Sequence, residues 1–90
     1  MPTWRIEVKP AAEKRFLKLD KSTRRRILAA LRELEAAENP LRHPQVRALT
    51  GELHGDYRLR VGGWRVLFTP DAEASALHVF AIVPRGEAYR

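Results

Sequence analysis

Alternating and helical spacings divide the chain into a few clear elements. Trp4, Ile6 and Val8 alternate with Arg5 and Glu7, the period-two pattern of a short strand. Lys9-Pro10 ends it, and proline suits the first position of the helix that follows. Over residues 11–19, Ala12, Phe16 and Leu19 recur at helical spacing, leaving Glu13, Lys14 and Lys18 for solvent. A second helix is predicted over 23–38, capped by Asp20 or Ser22. Its stripe of Ile27, Leu28, Leu31, Leu34 and Ala37 is that of a helix laid on a sheet, and Asn39-Pro40 stops it. So short a connection between the two helices predicts an antiparallel pair. Residues 41–55 are irregular: His43-Pro44 reads as loop, and 47–49 as a short strand or a turn.

The tidiest stretch is 56–69. Two alternating runs flank Gly62-Gly63, a pair suited to a two-residue hairpin turn because both can take φ > 0. That loop length predicts the register. Val61 falls opposite Trp64, Leu59 opposite Val66 and Tyr57 opposite Phe68, all on one face. On the other face Arg60 falls opposite Arg65, and Arg58 opposite Leu67. A polar loop at 70–75 leads to a last strand over 77–83, apolar on both faces and therefore expected inside the sheet. Trp4 and Trp64 are expected in the core or at its edge. The pattern predicts an α+β fold: one domain over 1–90, ordered β-α-α-β-β-β, with an antiparallel helix hairpin on one face of a mostly antiparallel twisted sheet.

Composition narrows what such a fold can do. Ninety residues leave room for one modest core. No apolar run approaches the ~20 residues of a membrane span. The N-terminus lacks the basic-then-apolar pattern of a signal peptide, which makes the cytoplasm the expected location. With no cysteine, disulfides, thiol nucleophiles and zinc-thiolate sites are excluded together. Lys and Arg number 17 against 11 Asp and Glu, a formal net charge of +6 that points to a polyanion or an acidic partner.

Charge changes the meaning of the hairpin. Directly opposed residues have Cβ atoms ~5 Å apart, and facing like charges are destabilising. For Arg60 and Arg65 the repulsion is about 1 to 3 kcal/mol, depending on dielectric and splay. A sequence selected only to fold has little reason to build this, whereas one that holds a phosphate does. The ordinary alternative is a solvated face with acidic neighbours from another element. His43, His54 and His78 have neither metal-ligand spacing nor a nucleophile partner and read as loop or surface residues. The run Arg24-Arg25-Arg26 lies near a helix N-terminus, where the macrodipole disfavours cations; it fits an RNA or acidic-protein contact, or simply a solvated face. Gly62 and Gly63 read as turn residues and nothing else.

Three segments carry a family resemblance. They are Leu49-Thr50-Gly51, the hairpin Tyr57-Arg58-Leu59-Arg60-Val61-Gly62-Gly63-Trp64-Arg65-Val66-Leu67-Phe68, and the ending Val83-Pro84-Arg85-Gly86-Glu87-Ala88-Tyr89. In this order and at this length the chain resembles the RelE/ParE superfamily of toxins from type II toxin–antitoxin pairs, on the RelE side. The resemblance implies a ribosome-dependent, metal-independent endonuclease that cuts messenger RNA in the ribosomal A site, with no cofactor. It also implies a cognate antitoxin, acidic and partly disordered when free. ParE-like relatives share the fold but inhibit DNA gyrase. An inactive RNA- or antitoxin-binding module of the same fold is a third reading.

Metal-free RNA cleavage proceeds by attack of the 2′-hydroxyl on the adjacent phosphorus. The site must stabilise the phosphorane charge, accept the 2′-proton and protonate the leaving 5′-oxygen. Arginine forks match phosphate oxygens. The resemblance assigns this work to Arg58, Arg60, Arg65, Arg85 and Tyr89. Arg65 and Arg85 would be the phosphate clamps, Tyr89 would stack on or position a base, and Arg58 and Arg60 would line the cleft, with Arg24 and Arg25 as further RNA contacts. Some relatives carry lysines at the two hairpin positions; arginine, which stays protonated at any working pH, is a poor general base. The proton acceptor is then open among Glu52, His54, Asp56, Tyr89 and the ribosome's own RNA.

Overall fold

A computed structural model describes residues 4–86. Tyr89 lies outside the described residues. Five strands form one sheet in the order β1-β5-β4-β3-β2: β1 (Arg5–Val8), β2 (Val46–Ala48), β3 (Tyr57–Val61), β4 (Trp64–Asp71) and β5 (Ala76–Pro84). All neighbours are antiparallel except β1 and β5. Two helices, α1 (Pro10–Leu17) and α2 (Lys21–Ala36), cover one face. The α+β order expected from the sequence is present, and the segment left as strand or turn is a strand, β2. The apolar last strand lies inside the sheet, as its two-faced pattern predicts.

Helix starts follow local chemistry. Pro10 stands in the first turn of α1. Asp20, not Ser22, caps α2: its carboxylate accepts the Thr23 amide and hydroxyl, which holds it below the usual carboxylate range. The predicted helix over 23–38 is displaced to 21–36 because Asp20 starts it earlier. The backbone opens at Ala37, and Asn39 caps a separate one-turn helix, Pro40–Arg42. Of the α2 stripe, Ile27, Leu31 and Leu34 are buried, whereas Leu28 stays 43% exposed at the rim.

The hairpin has the predicted register, and all six predicted residues contribute to the core under the helices. Trp4 and Trp64 sit at the core edge. The two-residue turn is of the expected primed kind, with a positive φ of +59° at Gly62 and none at Gly63, as in a type II′ turn. Strand β4 also runs on to Asp71, through residues expected to be loop, because Thr69, Pro70 and Asp71 pair with His78, Leu77 and Ala76. Successive residues alternate, so Phe68 joins the helix-side core while Leu67 joins Leu49 and Val83 in a small cluster on the opposite face. The register shifts between them, Leu67 pairing with Ala81 and Phe68 with Val79, which leaves Phe80 of β5 as the extra residue of a bulge.

Candidate functional site

The face turned away from the helices is where the arginines gather. Two rows cross the sheet. One reads Gln45, Arg60, Arg65, Val83; the other reads Arg47, Arg58, Leu67, Ala81. The Arg60 amide donates outward to the Gln45 carbonyl at 2.9 Å, so Arg60 and Arg65 form a non-hydrogen-bonded pair, the kind whose side chains lie closer. Arg47, which sequence reasoning did not select, stands directly opposite Arg58. The signal that could have found it is its alternation with Val46 and Ala48, had the short segment been paired with β3.

Each guanidinium is held by neutral oxygen. Arg60 Nε donates to Gln45 Oε1 at 2.9 Å. Arg58 Nη1 donates to the Gln45 carbonyl at 3.0 Å. Arg65 Nη1 donates to the carbonyls of Gly62 at 3.1 Å and Trp64 at 3.0 Å. Arg65 is 8% exposed, and its Nε has no hydrogen-bond partner among the described residues. Among the described residues no carboxylate pairs with Arg60 or Arg65. The acidic neighbours that would make this an ordinary solvated face are therefore missing from that part of the chain. A buried, uncompensated cation facing a second cation is costly unless an anion completes it.

Arg85 follows β5 at the hairpin end, where its amide donates to the Gly63 carbonyl at 2.9 Å. Two helix arginines reach the same turn from the other side. The Arg15 guanidinium lies 5.4 Å from the Trp64 ring centroid. A Cβ at Gly62 would collide with the Arg26 guanidinium, so Gly62 is more than a turn residue: Arg26 occupies the space any side chain there would need. Arg15 and Arg26 therefore bring further positive charge to the tip. Arg24 and Arg25 do not join the cleft, because α2 lies on the opposite face of the sheet. Arg25 instead lines a shallow groove with Leu28, Ala29 and Arg32.

The loop between β2 and β3 covers the apolar floor of the arginine face with Leu49 and Leu53. Glu52 and His54 are exposed on this loop, in and just after a single helical turn, Gly51–Leu53. Asp56 is differently engaged: its Oδ1 accepts the Thr69 hydroxyl at 2.7 Å and its carbonyl accepts the Leu49 amide at 2.9 Å, tying the loop down. His43, read as a loop residue, is half-buried and bonded on both nitrogens, to the Gln45 amide at 3.0 Å and to Glu33 at 2.8 Å. His78 lies 3.4 Å from Glu7 and 3.8 Å from Asp71. Among the described residues no group of three or more His, Asp and Glu could hold a metal ion. No helix among them is long and apolar enough to cross a membrane.

An apolar groove of about 200 Å³ lies away from the arginines, on the helix side between Val8, Phe16, Leu28 and Leu31. A cationic sheet face suits a polyanion.

The family model described as the ParE toxin of the type II toxin–antitoxin system parDE matches residues 6–89. No curated protein matches the chain. Among solved structures, the archaeal RelE–RelB complex from Pyrococcus horikoshii OT3 is similar over 96% of this chain and 99% of the matched one, with 27% identity and a TM-score of 0.78. The RelBE2 toxin–antitoxin complex from Mycobacterium tuberculosis matches over 94% and 100%, with 24% identity and a TM-score of 0.67. The isolated RelE toxin of E. coli matches over 94% and 87%, with 16% identity and a TM-score of 0.69.

Proposed function

This chain belongs to the ParE toxin family of type II toxin–antitoxin systems, and we propose that it acts as a ribosome-dependent endonuclease on messenger RNA. The toxin has the RelE/ParE fold. The observation that carries the finer reading is Arg65, a buried guanidinium that faces Arg60 and has no carboxylate among the described residues. A toxin that only docks on a protein has no need of that arrangement. A phosphorane, whose charge grows during reaction, supplies the missing anion when it is wanted.

In this reading Arg65 and Arg85 clamp the scissile phosphate, and Arg58 and Arg60 line the path of the strand. The 2′-oxygen forms its bond to phosphorus as the bond to the 5′-oxygen breaks, leaving a 2′,3′-cyclic phosphate and a 5′-hydroxyl. The 2′-proton passes to a base and a proton is delivered to the leaving oxygen. Glu52 and His54, exposed on the loop over the arginine face, are the better placed of the proton acceptors on this chain. Asp56 already accepts a hydrogen bond from Thr69. Tyr89 is assigned the base-positioning role by resemblance alone. Work at the ribosome places the protein in the cytoplasm. The likeness to the RelE–RelB complex supports an antitoxin partner, acidic where it meets the arginines.

Translation of a defined message in a cell-free reaction, with mapping of 5′ ends, tests this. Cuts in the A site that appear only on translated message are expected, and Arg65→Ala should abolish most of them. A second reading is inhibition of DNA gyrase, the activity that the resemblance gives to ParE-like relatives. Unharmed translation together with loss of gyrase supercoiling would establish that one instead.

A further inference from the structure

We propose that Gln45 is the positioning residue of the arginine face, holding Arg60 away from Arg65 so that its fork lines the path of the strand whose phosphate Arg65 clamps. This rests on the reading above for its phosphate. The position of Gln45 at the end of a row makes the argument. Arg60 stands between Gln45 on one side and Arg65 on the other. Left alone, a long, exposed arginine beside a like charge would sample many rotamers, and each would have to be reordered on binding. Gln45 Oε1 takes Arg60 Nε at 2.9 Å, on the side away from Arg65, and leaves the two terminal nitrogens of the fork for a ligand. Arg65 is meanwhile drawn to the turn carbonyls at Gly62 and Trp64. The pair is thus splayed by neutral acceptors on both sides, which orients the forks without cancelling their charge. A carboxylate in place of Gln45 would orient Arg60 equally well but would offset the charge that is needed.

Gln45 is itself fixed. Its backbone amide donates to His43 Nδ1 at 3.0 Å, which places the histidine proton on Nε2, where it faces Glu33 of α2 at 2.8 Å. Its backbone carbonyl accepts both the Arg60 amide and Arg58 Nη1. None of these three contacts depends on the Gln45 side chain, so substitution there should release Arg60 alone.

The test is Gln45→Met, of similar length but without the acceptor, beside Gln45→Glu and Arg60→Gln. In proton–nitrogen spectra the Arg60 Nε–H of the wild-type chain should exchange slowly with water. In Gln45→Met its exchange should quicken at least tenfold, with the Arg58 signal and the backbone amides unchanged. Affinity for a single-stranded RNA oligonucleotide should fall about fivefold in Gln45→Met with the salt dependence retained, because the charge count is the same. Gln45→Glu and Arg60→Gln should both flatten the salt dependence, by about 0.7 in the logarithmic slope. An unchanged Arg60 Nε–H signal in Gln45→Met, or RNA affinity equal to wild type once Arg60 is released, overturns the proposal. If the wild-type chain binds no RNA, the RNA reading of the face fails and positioning for a phosphate fails with it. Loss of slow Arg60 exchange in Gln45→Met would then show a structural contact only.

Discussion

Replacing Arg65 by methionine should make the protein more stable and less toxic at once. Methionine keeps most of the length of the side chain and suits the neighbouring Val83 and Leu67. The change removes the repulsion from the directly opposed Arg60, about 1 to 3 kcal/mol depending on dielectric and splay. It also removes a buried Nε without a partner, a cost of about 1 to 3 kcal/mol. Against this stand the two hydrogen bonds to the Gly62 and Trp64 carbonyls, each with a net contribution of about 0.5 to 1.5 kcal/mol. The Gly62 carbonyl belongs to an exposed residue and can be rehydrated. The balance is a gain of about 1 kcal/mol, which for a chain of this size raises Tm by about 4 to 8 °C. Thermal unfolding followed by circular dichroism measures it, alongside message cleavage in translation, which should fall a hundredfold or more. A lowered Tm would refute the reasoning, since it would mean that Arg65 is retained for the fold and that its burial is compensated.

Other positions give independent checks. Gly62→Ala should destabilise the hairpin by about 1 to 2 kcal/mol through its positive φ, with the flexible Arg26 guanidinium moving aside at little further cost; Gly63→Ala, with open space and no such φ, should be nearly neutral in the same melts. Gly62→Ala/Arg26→Ala should therefore melt with nearly the same loss as Gly62→Ala when each is compared with its own glycine parent. Asp20 has a lowered pKa through its hydrogen bonds to Thr23, so its stabilisation is complete above the unfolded value near 3.8 and is lost as pH falls through the lower folded value. Asp20→Asn should therefore show a smaller fall in Tm between neutral pH and pH 2 than wild type does. Thr69→Val removes the hydroxyl that ties Asp56 to β4 and should cost about 0.5 to 1.5 kcal/mol, with faster amide hydrogen exchange confined to residues 49–56.

The order of residues dictates whatever depends on neighbours along the chain. Period-two alternation around a two-residue turn leaves one register for β3 and β4, so the facing of Arg60 and Arg65 is legible in the residues themselves. The apolar stripe of α2 and the two-faced β5 likewise state which sides they bury. Packing settles what depends on distant segments sharing one space. That Gln45 meets Arg60, that Arg26 fills the room beside Gly62, that Arg47 faces Arg58 and that Asp56 is engaged by Thr69 all follow from a loop and a helix arriving where no periodicity points. Leu28 shows the same limit, since a stripe gives direction but not how far the neighbouring surface extends. The charge anomaly is written in the hairpin. Whether acidic groups from elsewhere cancel it is a three-dimensional question, and among the described residues the groups that hold Arg60 and Arg65 are neutral carbonyls, with no carboxylate paired to either.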